Sequence, residues 1–480
     1  MRSGLPPLLV LVLLFPAAGA PAAEPAPASP APGVVAPKLT CTSDPTRSYA
    51  LYLPLSYDPA RPAPVLYLMD ARGRALAALE RFREGAERFG TVLASSYDSA
   101  SDRQVDPNSQ ALAAMWRDTH QRLRLDDGRV YLGGFSGTAR AAIEMALAER
   151  GKIAGVIAAG AGFPSGSAPE AGLPFVLFGT AGDEDFNYDE MLQLDETLDR
   201  LGIVHRIEVF RGGHDWMPAR LASRALAWME LQAMAAAKRN REASLISSLW
   251  TEALGEARSL EQEGRPSEAA RLYRATAADF RGLLDVAEAS EPALRLAGSE
   301  RVRRERREDE NLRRRERQVL SEAWRLLGAA SSSSSVSSDP ARLPAALRLD
   351  EWKRKSRGKD PRLAASARRI LNALLVQTAY YLPEEASRRK DDRAVILCLT
   401  VAAAIRPEDP ELLYRLAAAR ARAGDSREAL RSLERAVQRG FADLERLRQD
   451  DDFKRLRGDR AYRRLEAEVE GRRGVRPPAS

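Results

Sequence analysis

Short apolar runs alternate with amphipathic helical stretches across residues 38–238, and this alternation restricts the fold more than any other feature of the chain. A strand joined to a parallel neighbour through a helix is covered on both faces, so it reads as a continuous apolar run rather than an in-and-out pattern. Val65-Leu66-Tyr67-Leu68-Met69 and Phe175-Val176-Leu177-Phe178 read that way. Strands are expected at residues 49–53, 65–69, 91–95, 130–133, 155–159, 175–178 and 206–210, with helices at 75–88, 110–124, 138–150, 190–201 and 218–237. The expected architecture is α/β: a mostly parallel sheet with helices on both faces. In such sheets the chemistry gathers beyond the carboxyl ends of the strands.

Three of those ends carry candidate groups. The strand at 130–133 runs into Gly134-Phe135-Ser136-Gly137-Thr138 and then a helix. A serine on a tight strand-to-helix turn projects its hydroxyl above the sheet, and small neighbours let the backbone segments approach. Thr138 stands where the last glycine of G-x-S-x-G is expected. A Gly-Ser turn that only caps a helix is the plain alternative. A serine hydroxyl needs a base, and the base needs an orienting group. The chain has three histidines. His120 falls inside a helix and His205 at the far end of its strand, which suits packing or surface roles. His214, in Gly212-Gly213-His214-Asp215-Trp216 after the strand at 206–210, is the well-placed base.

The acid is expected after the strand at 175–178, where Asp183 and Asp185 are both candidates. Asp185 is favoured because the next helix is entered directly after it. The chain order Ser136, Asp185, His214 is the α/β-hydrolase order rather than that of other serine-protease folds. For the oxyanion, the backbone N–H of Gly137 is one expected donor and the N–H of Arg72, in Asp70-Ala71-Arg72-Gly73, is the other.

With these pieces assembled, residues 38–238 resemble α/β-hydrolase-fold secreted esterases related to dienelactone hydrolases and polyhydroxyalkanoate depolymerases. The resemblance rests on D-A-R-G at 70–73, G-F-S-G at 134–137, D-F-N-Y at 185–188 and G-G-H-D-W at 212–216. It implies carboxylic-ester hydrolysis through an acyl-serine intermediate, and leaves the ester unidentified. Cleavage of amides or peptides by the same groups, or a catalytically silent binding domain, are the alternatives. The short connections between strand ends offer no lipase-like lid, which implies a small or extended, accessible substrate. No cofactor is implied, and no metal, since the histidines lack H-x-H or H-E-x-x-H spacing.

The flanks differ. Arg2, the apolar run at 8–15 and the small residues Ala18, Ala20 and Ala22 predict a signal peptide over 1–22 and export to the periplasm or medium. The apolar run is too short to span a membrane core of about 30 Å. A Pro/Ala-rich tether is expected at 23–37. Beyond 238 the chain becomes rich in Ala, Leu, Arg and Glu with helical periodicity. Leu413, Leu416, Ala417, Gly424, Ala429, Leu433 and Ala436 have the spacing of a tetratricopeptide-like helix pair, and Ala394 and the Gly264, Ala269, Tyr273 group suggest weaker units. The expected division is a helical hairpin region with a charged helix at 239–327, a Ser-rich linker at 328–344, tetratricopeptide-like repeats at 345–472 and a tail at 473–480. Stacked helix pairs predict docking of a protein partner or self-association. The 74 basic residues are nearly matched by 67 acidic ones and only 6% of the chain is aromatic, which argues against a nucleic-acid partner.

Overall fold

The computed structural model describes residues 30–103, 106–332 and 340–472. The expected signal peptide, residues 23–29 of the tether, residues 333–339 of the Ser-rich linker and the tail lie outside them. The chain forms two compact units that divide between Glu308 and Asp309.

The first unit is built on one eight-stranded sheet: β1 (Val35–Cys41), β2 (Asp44–Tyr52), β3 (Ala63–Met69), β4 (Val92–Ser96), β5 (Leu125–Phe135), β6 (Gly155–Ala159), β7 (Val176–Gly182) and β8 (His205–Phe210). The strand order is β1-β2-β4-β3-β5-β6-β7-β8. β2 is antiparallel to both neighbours, and β4 to β8 with β3 are parallel. All seven expected strands are present. β1 was not expected: it begins inside the residues read as tether. Pro37 is tolerated there because an edge strand has an unpaired side on which no N–H is needed.

The pleat sorts the core into two layers. Val65, Tyr67 and Met69 of β3 face one layer, where they pack with Leu112, Ile143 and Met191. These come from α2 (Asn108–Arg122), α3 (Gly137–Ala148) and α4 (Tyr188–Arg200). Leu66 and Leu68 face the other layer, with Phe82 and Leu226 from α1 (Ala75–Phe89) and α5 (Ala219–Ala235). At roughly 1.5–3 kcal/mol per buried large apolar side chain, this two-sided burial holds the strand ends in register.

The helical layer does not stop at 238. α6 (Ala243–Gln262), α7 (Pro266–Asp279) and α8 (Ala287–Ala297) belong to the first unit. Ile246, Leu249 and Phe280 join the α1/α5 layer. Asp279 is buried, accepts a hydrogen bond from Trp228 Nε1 at 2.7 Å and pairs with the buried Arg206 of β8. Gly264 turns the chain between α6 and α7 at φ +73°, and Ala269 and Tyr273 are buried.

α9 (Glu300–Ser332) crosses the division between units and continues through 328–332, residues expected in the linker. The second unit is otherwise all helical: α10 (Leu343–Ala346), α11 (Leu349–Ser356), α12 (Pro361–Val376), α13 (Leu382–Arg388), α14 (Asp392–Ile405), α15 (Pro410–Arg422), α16 (Ser426–Gln438), α17 (Leu444–Gln449) and α18 (Arg460–Arg472). Asp360, Asp391, Asp409, Asp425 and Asp443 cap the helices that follow them. Gly424, at φ +85°, turns α15 into α16. Ala417, Ala429, Leu433 and Ala436 are fully buried where those helices pack.

Candidate active site

β5 ends in a buried run, and the residue after it, Ser136, sits at φ +58° and ψ −127°. A non-glycine residue in that region is strained and persists only where its surroundings hold it. Part of the hold is the Ser136 N–H, which donates to Ala159 O at 2.8 Å. Gly134 makes the turn possible, since a Cβ there would lie 2.2 Å from Thr138 O. Thr138, the departure from the glycine pattern, fits. Its buried hydroxyl accepts from the Phe135 N–H at 3.0 Å and has Met69 O (2.6 Å) and Phe135 O (2.8 Å) within reach of its proton. The threonine thereby ties the turn to the end of β3, a link that glycine could not make.

The loops after β7 and β8 come together because Gly182 has no side chain: a Cβ there would lie 2.2 Å from Gly212 O. This brings His214 to Ser136. His214 Nε2 is 2.8 Å from Ser136 Oγ, and Nδ1 is 2.9 and 3.0 Å from the two oxygens of Asp185. An ionised carboxylate only accepts, so Nδ1 carries the proton, Nε2 accepts, and the serine hydroxyl donates. Phe135 and Phe186 flank the imidazole, with ring centroids 4.7 and 4.3 Å away. Asp185 is fully buried.

Of the two candidate acids, Asp185 faces the imidazole. Asp183 accepts from the Gly212 N–H at 2.9 Å and so braces the backbone of the histidine loop. Sequence reasoning missed Asn187, whose N–H donates to Asp185 Oδ1 (2.8 Å) while its Nδ2 donates to Gly160 O (2.7 Å). The signal was an aspartate followed two residues later by a turn-forming residue, which is how a side chain captures a nearby N–H. His205 binds Ile203 O and Asp195. His120 stacks on Trp116 with centroids 4.6 Å apart.

The expected oxyanion donors separate. Gly137 is the first residue of α3, where a helix leaves its N–H groups without carbonyl partners. Arg72 has to be corrected. Its N–H donates to Asp70 Oδ1 at 2.8 Å, so the group is already used. Gly73, Arg74 and Ala75 also spend their N–H groups, on Asp70 O, Asp70 Oδ1 and Gly73 O. Among the described residues of 71–75, the Ala71 N–H alone makes no hydrogen bond. Ala71 O accepts from the Ser101 N–H at 3.0 Å, and Ser101 lies against Gly137, where an added Cβ would come within 2.4 Å of Ser101 Cβ.

No family model matches the chain, and no curated protein sequence matches it. Solved structures similar to it include a substrate-bound fluorophosphonate-binding serine hydrolase of Staphylococcus aureus. That one has 15% identity and TM-score 0.34, over 41% of this chain and 98% of the other. An S-formylglutathione hydrolase of Staphylococcus aureus has 16% identity and TM-score 0.33, over 42% of this chain and 98% of the other. An esterase of Pyrobaculum calidifontis has 15% identity and TM-score 0.35, over 42% of this chain and 87% of the other. The arrangement of the sheet, with the serine turn after β5, the acid after β7 and the histidine after β8, is that of an α/β-hydrolase fold.

Proposed function

We propose that this protein is an exported serine hydrolase, a carboxylic-ester hydrolase that works through an acyl-serine intermediate. The observation that carries the reading is the unbroken hydrogen-bond chain from Ser136 Oγ through both nitrogens of His214 to the buried Asp185. As Ser136 Oγ attacks the ester carbonyl carbon, His214 Nε2 takes its proton, and Asp185 stabilises the imidazolium without itself being protonated. The developing oxyanion is met by the N–H of Gly137 and, in place of Arg72, the N–H of Ala71, at roughly 2.7–4 kcal/mol per donor. The tetrahedral intermediate collapses, His214 gives its proton to the departing alcohol, and the acyl group stays on Ser136. Water then loses a proton to His214 and attacks the acyl carbon, releasing the carboxylic acid and returning the proton to Ser136.

The test is hydrolysis of short p-nitrophenyl esters by the purified chain and by Ser136→Ala. A loss of about four orders of magnitude or more is expected. Turnover unchanged by the substitution would reject the mechanism. A wild-type chain without turnover would favour a silent binding domain, and a panel of matched esters and amides separates esterase from amidase. The amino-terminal sequence supports export, and sequencing of the mature protein is expected to begin near Ala22 to Glu24, against Met1 if the signal is retained. The helix pairs of the second unit support a tetratricopeptide-like role in docking a protein partner or a second copy.

A further inference from the structure

Two sequence motifs are left over by this chemistry: the aspartate that opens the loop after β3, and the tryptophan two residues past His214. They meet in one buried network. Asp70 Oδ1 accepts from the N–H groups of Arg72 (2.8 Å) and Arg74 (3.2 Å) and from Arg74 Nε (3.0 Å). Asp70 Oδ2 accepts from Arg74 Nη2 (3.0 Å) and from Trp216 Nε1 (2.8 Å), a residue 146 positions away. Five donors around a group with about four lone-pair positions leave it a single orientation. Burial alone would push the Asp70 carboxyl upward. The hydrogen bonds from Arg74, Trp216 and the two N–H groups outweigh it and hold the carboxyl below the usual range.

The far side of this network reaches the base. The buried Trp216 ring lies 5.8 Å from that of Phe135, and the Phe135 ring lies 4.7 Å from the imidazole of His214. One carboxylate oxygen therefore shapes the loop that leaves the Ala71 N–H unspent, and the other fixes the tryptophan that backs the histidine loop. A buried charge adds little net stability compared with an apolar filler. What it adds here is registration of two loops.

We propose that Asp70 is a positioning residue that sets the loop after β3, with its oxyanion donor, against the His214 loop through Trp216. The proposal rests on the serine-hydrolase reading above.

The full-length wild type, Asp70→Asn, Trp216→Phe and the double variant are each titrated to completion with a fluorophosphonate to count competent serines. Separate, unlabelled aliquots are assayed on p-nitrophenyl acetate for kcat and KM, with thermal unfolding as a check on folding. The single variants are expected to lose about 10- to 100-fold in kcat per labelled site, as expected for reacting groups displaced by around 1 Å, with KM nearly unchanged. The double variant is expected to be no worse than Asp70→Asn, because both changes break one link. If Asp70→Asn does not fold, Trp216→Phe still decides, since it removes one donor and leaves the Arg74 arm in place. Variants with a lower melting temperature but wild-type kcat per labelled site would reduce Asp70 to a structural role and overturn the proposal. A wild type that the fluorophosphonate does not label would instead overturn the serine-hydrolase reading, and the positioning role with it.

Discussion

The two units bury polar groups in different ways. In the first, buried carboxylates reach across the chain: Asp70 to Trp216, Asp185 to His214 and Asp279 to Trp228, at sequence separations of 146, 29 and 51. In the second, the buried hydroxyls of Thr378 and Ser432 turn back on their own helices, to Leu374 O and Glu428 O, each four residues away. Longer links occur there too, from Tyr414 to Asp450, from Tyr462 to Leu447 O and in the buried pair of Arg369 with Glu316. A local bond satisfies a donor and fixes little else. A bond between distant loops fixes their separation, which catalysis requires and a helical stack does not. The buried carboxylates of the first unit thus register distant loops, as the proposed chemistry needs, whereas the buried polar groups of the second serve its helix stack.

The sharpest way to break that comparison is to remove the acid. Asp185→Asn is expected to lower kcat about 10⁴-fold, since an amide favours the wrong imidazole tautomer. Asp183→Asn, which loosens the backbone brace at Gly212, is expected to cost about tenfold. Steady-state kinetics on one ester distinguishes the two, and equal losses would undo the assignment of the acid. Next in size, Asp279→Ala leaves the buried Arg206 with Glu208 as its carboxylate partner and takes the acceptor from Trp228 Nε1, and is expected to destabilise the first unit by about 1–3 kcal/mol. Glu316→Ala likewise removes the carboxylate that pairs with the buried Arg369 in the second. Denaturant unfolding followed beside activity sharpens the contrast: the Glu316 variant is expected to retain full ester turnover at temperatures where it stays folded.

A pH dependence follows from Asp118, fully buried between α2 and the first two strands. Burial raises its carboxyl, but hydrogen bonds from Arg122, Thr42 and Tyr49 outweigh that and leave it depressed. A depressed carboxyl contributes stability above its unfolded value of about 4 and loses it as pH falls through the folded value. Acid titration of wild type against Asp118→Asn is therefore expected to show a shallower loss of stability below about pH 4 in the variant. The smallest effect is local: Asp409→Ala removes a helix cap whose side chain accepts from Glu411 and Leu412 N–H groups, costing about 1 kcal/mol in thermal unfolding with no change in kcat.

The legible parts of the fold were those with a local signature. The apolar runs of β3 and β7 announced a covered sheet, and the order of Ser136, Asp185 and His214 announced where its loops would meet. β1 was missed because only its last residue, Cys41, is buried and Pro37 interrupts it, so it shows no strand periodicity. The attachment of α6 and α7 to the sheet was invisible because Arg206 and Asp279 are 73 residues apart, and no window of sequence contains both. Arg72 was misassigned for a readable reason: an aspartate two positions earlier competes for that N–H. Thr138 reads locally as a flaw in the serine turn and proves to be a tie to β3, a role set by Met69 O from 69 positions away.

The central claim, that Ser136 is a nucleophile activated by His214, is tested most directly by reacting the purified chain with a fluorophosphonate and mapping the adduct by peptide mass spectrometry. A single adduct on Ser136, absent from Ser136→Ala and strongly slowed in His214→Ala, is the expected result. No adduct at all, an adduct on another residue, or labelling of Ser136 at an unchanged rate without His214 would contradict it.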